Sequence, residues 1–136
     1  MGRLHDRVLS DIALRLKDLG LTLRDHSVLN AIALTGAPSQ QDIATDLGID
    51  RSDLVRVLDR LEESDVIRRR RSDVDRRRHE LTLTTEGKAL LDKANDAADG
   101  ATAGRLASLT TAEQGELHHL LLKALGVTSR PCGPHA

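Results

Sequence analysis

A chain of 136 residues with 39% hydrophobic residues, 30% charged residues and a mean hydropathy of -0.33 fits one modest globular domain or a helical oligomer. No apolar run approaches the roughly 18 to 20 residues that cross a bilayer; the start, MGRLHDRV, has no signal-peptide apolar stretch and places Asp6 where myristoylation wants Ser or Thr, so a cytoplasmic protein without a membrane partner is expected. The absence of Phe, Trp and Tyr leaves the core to Leu, Ile, Val and Ala, and excludes the aromatic platforms on which single-stranded nucleic acid stacks.

Residues 4 to 19 place Leu4, Val8, Ile12, Leu16 and Leu19 in an i, i+4 stripe, which predicts an amphipathic helix. Such a helix has little of its own chain to pack on, so a second subunit is expected to cover it. Thr22, with Asp25 three residues on, opens a second helix that turns Val28, Leu29 and Ile32 inward and stops at Thr35-Gly36-Ala37-Pro38. Ser39 caps a third, with Asp42 favoured near the positive end of its dipole and Ile43, Ala44 and Leu47 on one face. Gly48 then reverses the chain, a task for a residue that takes a left-handed conformation without steric cost. Asp50 caps the fourth helix, in which Leu54, Val57, Leu58 and Leu61 lie on a core and Arg51, Ser52, Arg56 and Arg60 stay outside. Two helices joined by a tight glycine turn, the second with an outward row of Arg and Ser, meet the requirement for reading a major groove.

The next segment, IRRRRSDVDRRRH from 67 to 79, sets seven Arg against two Asp, a local +5 in a chain of formal net charge -1, so the rest of the chain sums to -6. Segregation on that scale is more than solubility needs. A solvated arginine-rich loop would account for the charge alone. The flanks, however, with Val66 and Ile67 leading in and Leu81 and Leu83 alternating with Thr82 and Thr84, predict a two-stranded ribbon turning near Ser72 to Asp75 beside the fourth helix. That arrangement is a winged helix. Beyond it, Thr84 or Thr85 begins a long helix with Ala89, Leu90, Ala94, Ala97, Ala98, Ala101 and Leu106 as its apolar positions and Gly100 and Gly104 permitting close backbone approach or a kink. Thr110 and Glu113 form a capping box for a last helix with Leu117, Leu120, Leu121 and Leu125 on one face, ending at Gly126.

These residues resemble the MarR-type transcription factors. The resemblance is carried by DRSDLVRVLDRL from Asp50 to Leu61, by the wing motif Asp75-Arg76-Arg77, by LTLTTEGKALL from Leu81 to Leu91, and by TLRDHSVLNAIAL from 22 to 34. It implies a mainly α chain with a small two-stranded β-wing: a winged helix-turn-helix plus interlaced N- and C-terminal dimerisation helices. The implied segments are a dimerisation helix at 1–21, the DNA-binding region at 22–84, dimerisation helices at 85–126 and a disordered tail at 127–136. In that family the wing Asp steadies the hairpin and the second wing Arg approaches the minor groove, roles that fall here on Asp75 and Arg77. The sequence departs from the pattern at Val55, where Thr or Ser usually faces DNA; at Asp53, a carboxylate near phosphates unless it partners Arg51 or Arg56; and at Asp65, where glycine usually ends the helix.

The expected function is therefore that of a homodimeric repressor bound to a palindromic duplex site with half-sites about 34 to 36 Å apart. Arg51, Ser52 and Arg56 would read bases; Arg60, Arg68, Arg69, Arg70 and Arg71 would meet phosphates; Ser39, Gln40 and Arg76 belong to the same surface. The resemblance also implies a cleft for a small anionic or phenolic effector, for which His5, Arg15 and His26 are the polar candidates. Two other readings compete: a winged-helix module docking an acidic protein, and a metal-responsive regulator. For the latter, adjacent His118 and His119 point about 100° apart on a helix, poor ligand spacing unless other groups join them across chains. Catalysis and a cofactor are not expected, since no phosphate-cradling glycine loop, H-E-x-x-H or nucleophile elbow is present. Cys132, the single cysteine, excludes an internal disulfide, and it does not match the cysteine of the family's hydroperoxide sensors, which lies near the N-terminal helix.

Overall fold

The computed structural model describes residues 2–126; the predicted tail at 127–136, Cys132 included, lies outside the described residues. The elements run α1 (Gly2–Asp18), α2 (Leu23–Thr35), α3 (Gln40–Leu47), α4 (Arg51–Glu63), β1 (Ile67–Arg71), β2 (His79–Leu83), α5 (Thr85–Arg105) and α6 (Thr111–Ala124). They form two compact units, one reaching to Ala101 and the other beginning at Thr102.

The first unit closes on an aliphatic core in which Leu16, Val28, Leu29, Ile43, Leu54, Leu58, Ile67, Leu81 and Ala94 are essentially inaccessible. Each fully buried Leu, Ile or Val contributes about 1.5–3 kcal/mol through removal from water. The caps that orient the helices are those the sequence predicts. Thr22 and Ser39 each accept from the backbone three residues on, while Asp25 and Asp42 reach back to the cap N–H, so Asp42 does more than complement a dipole. Gly48 (φ 60) and Asp65 (φ 56) hold the left-handed turns that end α3 and follow α4.

Two predicted packing patterns differ from the observed ones. The C-terminal half of α1 is covered by its own chain: Leu16 is sealed in the core, with Ile12 and Leu19 packed against it, while Leu4 remains 45% exposed. The chain doubles back at Gly20, where Leu21 N–H bonds to the Leu16 carbonyl, and α2 supplies the cover. On α5 the buried column is Gly87, Leu91, Ala94 and Ala101 rather than one through Ala89, which is exposed. The helix is phased by the close approach of its first turn to Val66. A β-carbon on Gly87 would lie 1.9 Å from the Val66 carbonyl oxygen, while the Thr84 hydroxyl donates to the Asp65 carbonyl (2.6 Å) and accepts from Gly87 N–H (2.9 Å). The spacing Leu-Thr-x-x-Gly thus welds the ribbon to α5.

β1 and β2 pair antiparallel from Ile67↔Leu83 to Arg71↔His79. The segment before α3 joins the ribbon, with Leu81 N–H donating to the Pro38 carbonyl (2.9 Å) and Ser39 bridged to Glu80. The connection spans residues 72 to 78, longer than the predicted turn at Ser72 to Asp75. The buried Ser72 hydroxyl accepts from the N–H groups of Val74 and Asp75, and Ser72 N–H bonds back to the Arg78 carbonyl (2.9 Å), so a second turn is needed before β2 can start. In the second unit, the Thr110–Glu113 capping box starts α6 as predicted, and Gln114 donates to the Leu106 and Leu109 carbonyls, fastening the preceding turn.

Candidate nucleic-acid interface

The recognition face follows from the packing of α4. With Leu54, Val57, Leu58 and Leu61 turned into the core, Arg51, Ser52 and Arg56 are left exposed and Val55 half-buried. Asp50 fixes the start of the helix: it accepts from Ser52 N–H (3.0 Å) and from the Ser52 hydroxyl, and these bonds hold its carboxyl below the usual range. The Ser52 hydroxyl is therefore already engaged. Asp53 lies 3.4 Å from Arg24 of α2 and 4.0 Å from Arg56, so its main partner comes from a different helix than the sequence suggests.

The arginines separate into two groups. Strand alternation puts Arg69 on the same side as Ile67, opposite Leu81, and its guanidinium folds back onto Asp59 and Glu62 of α4. Arg60 reaches the carboxylate of Asp25, which is 1% exposed and already serves the α2 capping box. Arg68 and Arg70, on the outer side, stand 3.7 and 3.5 Å from Asp65 and Asp73. Among the described residues, Arg51, Arg71, Arg76 and Arg77 have no carboxylate partner. Asp75 accepts from Arg77 N–H (3.0 Å) and its carbonyl from Arg78 N–H (2.9 Å), so it shapes the wing loop without neutralising the Arg77 guanidinium.

Between the first turns of α3 and α4 and this loop lies a cleft of about 230 Å³ lined by Ser39, Gln40, Gln41, Arg51, Arg77, Arg78 and His79. Ser39, Gln40, Arg51 and Arg77 are anticipated by the sequence. Gln41, Arg78 and His79 are not, although the unbroken basic run 76 to 79 was the signal that pointed to two of them. Arg78 lies 3.8 Å from Asp42, whose carboxyl is held low chiefly by the hydroxyl and N–H of Ser39 and further by Arg78. Ser39 itself is 9% exposed, its hydroxyl spent on the cap.

A larger cleft of about 1020 Å³ opens where α1, α2 and the α3–α4 turn meet; its lining includes Leu9, Ile12, Leu23 and Ile49, with Lys17, Arg24 and His26 as charged or titratable groups. Of the three polar residues the sequence suggests for an effector site, only His26 lines it. His5 is exposed on the first turns of α1, and the Arg15 guanidinium lies against Gly100 on α5. The His26 Nε2 is 2.7 Å from Asn95 Oδ1 and 3.0 Å from Asn30 Nδ2. Among the described residues no group of three or more His, Cys, Asp or Glu is placed to hold a metal ion, and no helix is long and apolar enough to cross a membrane.

The MarR family profile matches residues 19–78, from the end of α1 through the wing loop. The transcriptional repressor CouR, solved bound to a 23-mer DNA duplex, is 32% identical and superposes with a TM-score of 0.77, covering 92% of this chain and 88% of that one. The chain belongs to the MarR family. It has the winged-helix fold of that family of transcriptional regulators. A protein of Thauera aromatica named as a transcriptional regulatory protein for the hcr operon is 35% identical over 102 residues, 75% of this chain; the alignment spans 61% of that protein's length. A MarR family protein of Mycobacterium tuberculosis in complex with salicylic acid is 28% identical, with a TM-score of 0.76 and 90% of each chain covered.

Proposed function

We propose that this MarR-family regulator acts in the cytoplasm as a homodimeric repressor, occupying a palindromic duplex operator with α4 in the major groove and the wing against the minor groove. The observation that carries the reading is the sorting of the arginines within α4 and the wing: Arg51, Arg71, Arg76 and Arg77 have no carboxylate partner, and Arg51 and Arg77 line one cleft, whereas Arg60 and Arg69 are drawn into ion pairs. Arg51 and Arg56 read base edges, since a guanidinium can donate twice to guanine. Arg77 enters the minor groove, and Arg68, Arg70, Arg71 and Arg76 supply phosphate contacts. A homodimer is supported by α6, which buries no residue within the described chain and carries exposed Leu120 and Leu121, with Leu125 exposed at its C-terminal cap. Release by a small aromatic acid is supported by the apolar cleft with Lys17, Arg24 and His26 at its wall, and by the salicylic acid complex of the Mycobacterium tuberculosis relative.

The test is binding to the duplex upstream of its own gene. Arg77→Ala should weaken binding to every sequence and reduce the slope of log affinity against log salt by about 0.9, one phosphate's worth of released counterions. Arg56→Ala should relax base preference at one position per half-site, a discrimination of about 1–3 kcal/mol, read by selection from random duplexes. No retention of duplex at low salt would overturn the reading in favour of protein docking, and an unchanged salt slope in Arg77→Ala would remove the wing assignment.

A further inference from the structure

We propose that the cleft between α3, α4 and the wing loop seats one phosphodiester of the DNA backbone, and that His79 takes up a proton as the phosphate arrives. The proposal rests on the duplex-binding reading and assigns roles to Arg78 and His79 that the wing motif alone does not. The cleft is bounded by the first turn of α3 through Ser39, Gln40 and Gln41, by Arg51 at the first turn of α4, and by Arg77, Arg78 and His79. The guanidinium forks and side-chain amides that line it match phosphate oxygens. Arg78 is held at the rim by Asp42, which the α3 cap fixes in turn, so the wing and the helix-turn-helix share one wall.

His79 sits at the end of β2, opposite Arg71 of β1 in the ribbon register. The charged groups around it are Arg51 from α4, Arg77 and Arg78 from the loop, Arg71 from β1, and two carboxylates: Glu80, next to it on β2 and paired in register with Arg70, and Asp42 on α3, occupied by Ser39 and Arg78. Glu80 alternates to the other face of the ribbon from His79, and Asp42 is engaged by Ser39 and Arg78, so an incoming phosphate supplies the anion for an imidazolium. Imidazole is the side chain whose charge ordinarily changes between pH 5 and 8, so phosphate binding and proton uptake from solvent are linked in that range.

The experiment measures affinity for the upstream duplex at pH 6 and pH 8, each across a series of salt concentrations. The full-length protein should bind roughly tenfold more tightly at pH 6, the worth of one charge-assisted hydrogen bond. Its salt slope should be steeper at pH 6 by about 0.9. His79→Gln should lose both changes. His79→Arg should keep the steeper slope at pH 8 and bind with little dependence on pH. Equal pH dependence in the wild type and His79→Gln, or binding by the wild type that ignores pH, would overturn the proton linkage while leaving duplex binding intact. Failure of the wild type to bind duplex at either pH would overturn both this proposal and the function beneath it.

Discussion

Helices α4 and α6 look alike as sequence and fare differently in the fold. Each begins at a side-chain cap and carries a row of leucines or valines at helical spacing. In α4 the row, Leu54, Val57, Leu58 and Leu61, is almost entirely hidden; in α6, Leu117 is half-buried while Leu120, Leu121 and the cap residue Leu125 are exposed. Periodicity specifies that a face is apolar and leaves open which surface covers it. For α4 that surface is folded from the same chain, and the exposed face is consequently fixed in direction. For α6 the surface has to come from elsewhere, and the proposal above assigns it to a second copy.

Substitution in the two rows should separate these cases. Leu58→Ala should cost about 2–5 kcal/mol of unfolding free energy through the lost transfer energy and the cavity left behind, with a loss that denaturant titration finds at every protein concentration. Gly87→Ala should cost about 1–3 kcal/mol, because the added methyl meets the Val66 carbonyl rather than a movable side chain; an unchanged unfolding midpoint would mean that the weld between ribbon and α5 yields easily. Leu121→Lys should instead weaken self-association by about 1.5–3 kcal/mol, the worth of one leucine removed from water. Sedimentation across a dilution series would register that change, and an undisturbed dimer would exclude α6 from the interface.

The smallest effects concern the caps. Asp42 in α3 and Glu113 in α6 both have carboxyls held below their usual values, chiefly by hydrogen bonds from the cap residues Ser39 and Thr110. A depressed folded-state value means that the stabilisation is complete above the range where a free carboxyl titrates, and is lost as pH falls through the lower folded value. Helical signal followed downward from pH 5 should therefore show a small acid-side loss that Asp42→Asn and Glu113→Gln each reduce. Asp42→Asn should also weaken DNA binding by loosening Arg78, while Glu113→Gln should leave it unchanged, which distinguishes a cap that shapes the interface from one that only starts a helix.

Much of the reading head was legible because its determinants are local. Ser39, Gly48, Asp50 and Asp65 each act within a turn of backbone, and the leucines of α4 repeat at the period of a single helix. The phase of α5 was less legible: alanine and leucine alternate too closely for periodicity to choose between Ala89 and Leu91, and the choice falls to the contact of Gly87 with Val66. Sequence also counted the arginines without sorting them. That Arg60 would meet Asp25, 35 residues away, or that Arg69 would turn back to Asp59, depends on which side of the ribbon each faces once α2, α4 and β1 are packed.

By itself, then, the sequence determined the winged helix, its caps and turns, and the concentration of positive charge beside the fourth helix, because hydrogen bonds within a turn and hydrophobic periodicity need no distant partner. Tertiary structure alone decided which cations are held by carboxylates and which stand free, and which residues close the cleft at His79, because long-range ion pairs and concave surfaces arise only when separate elements are fixed side by side.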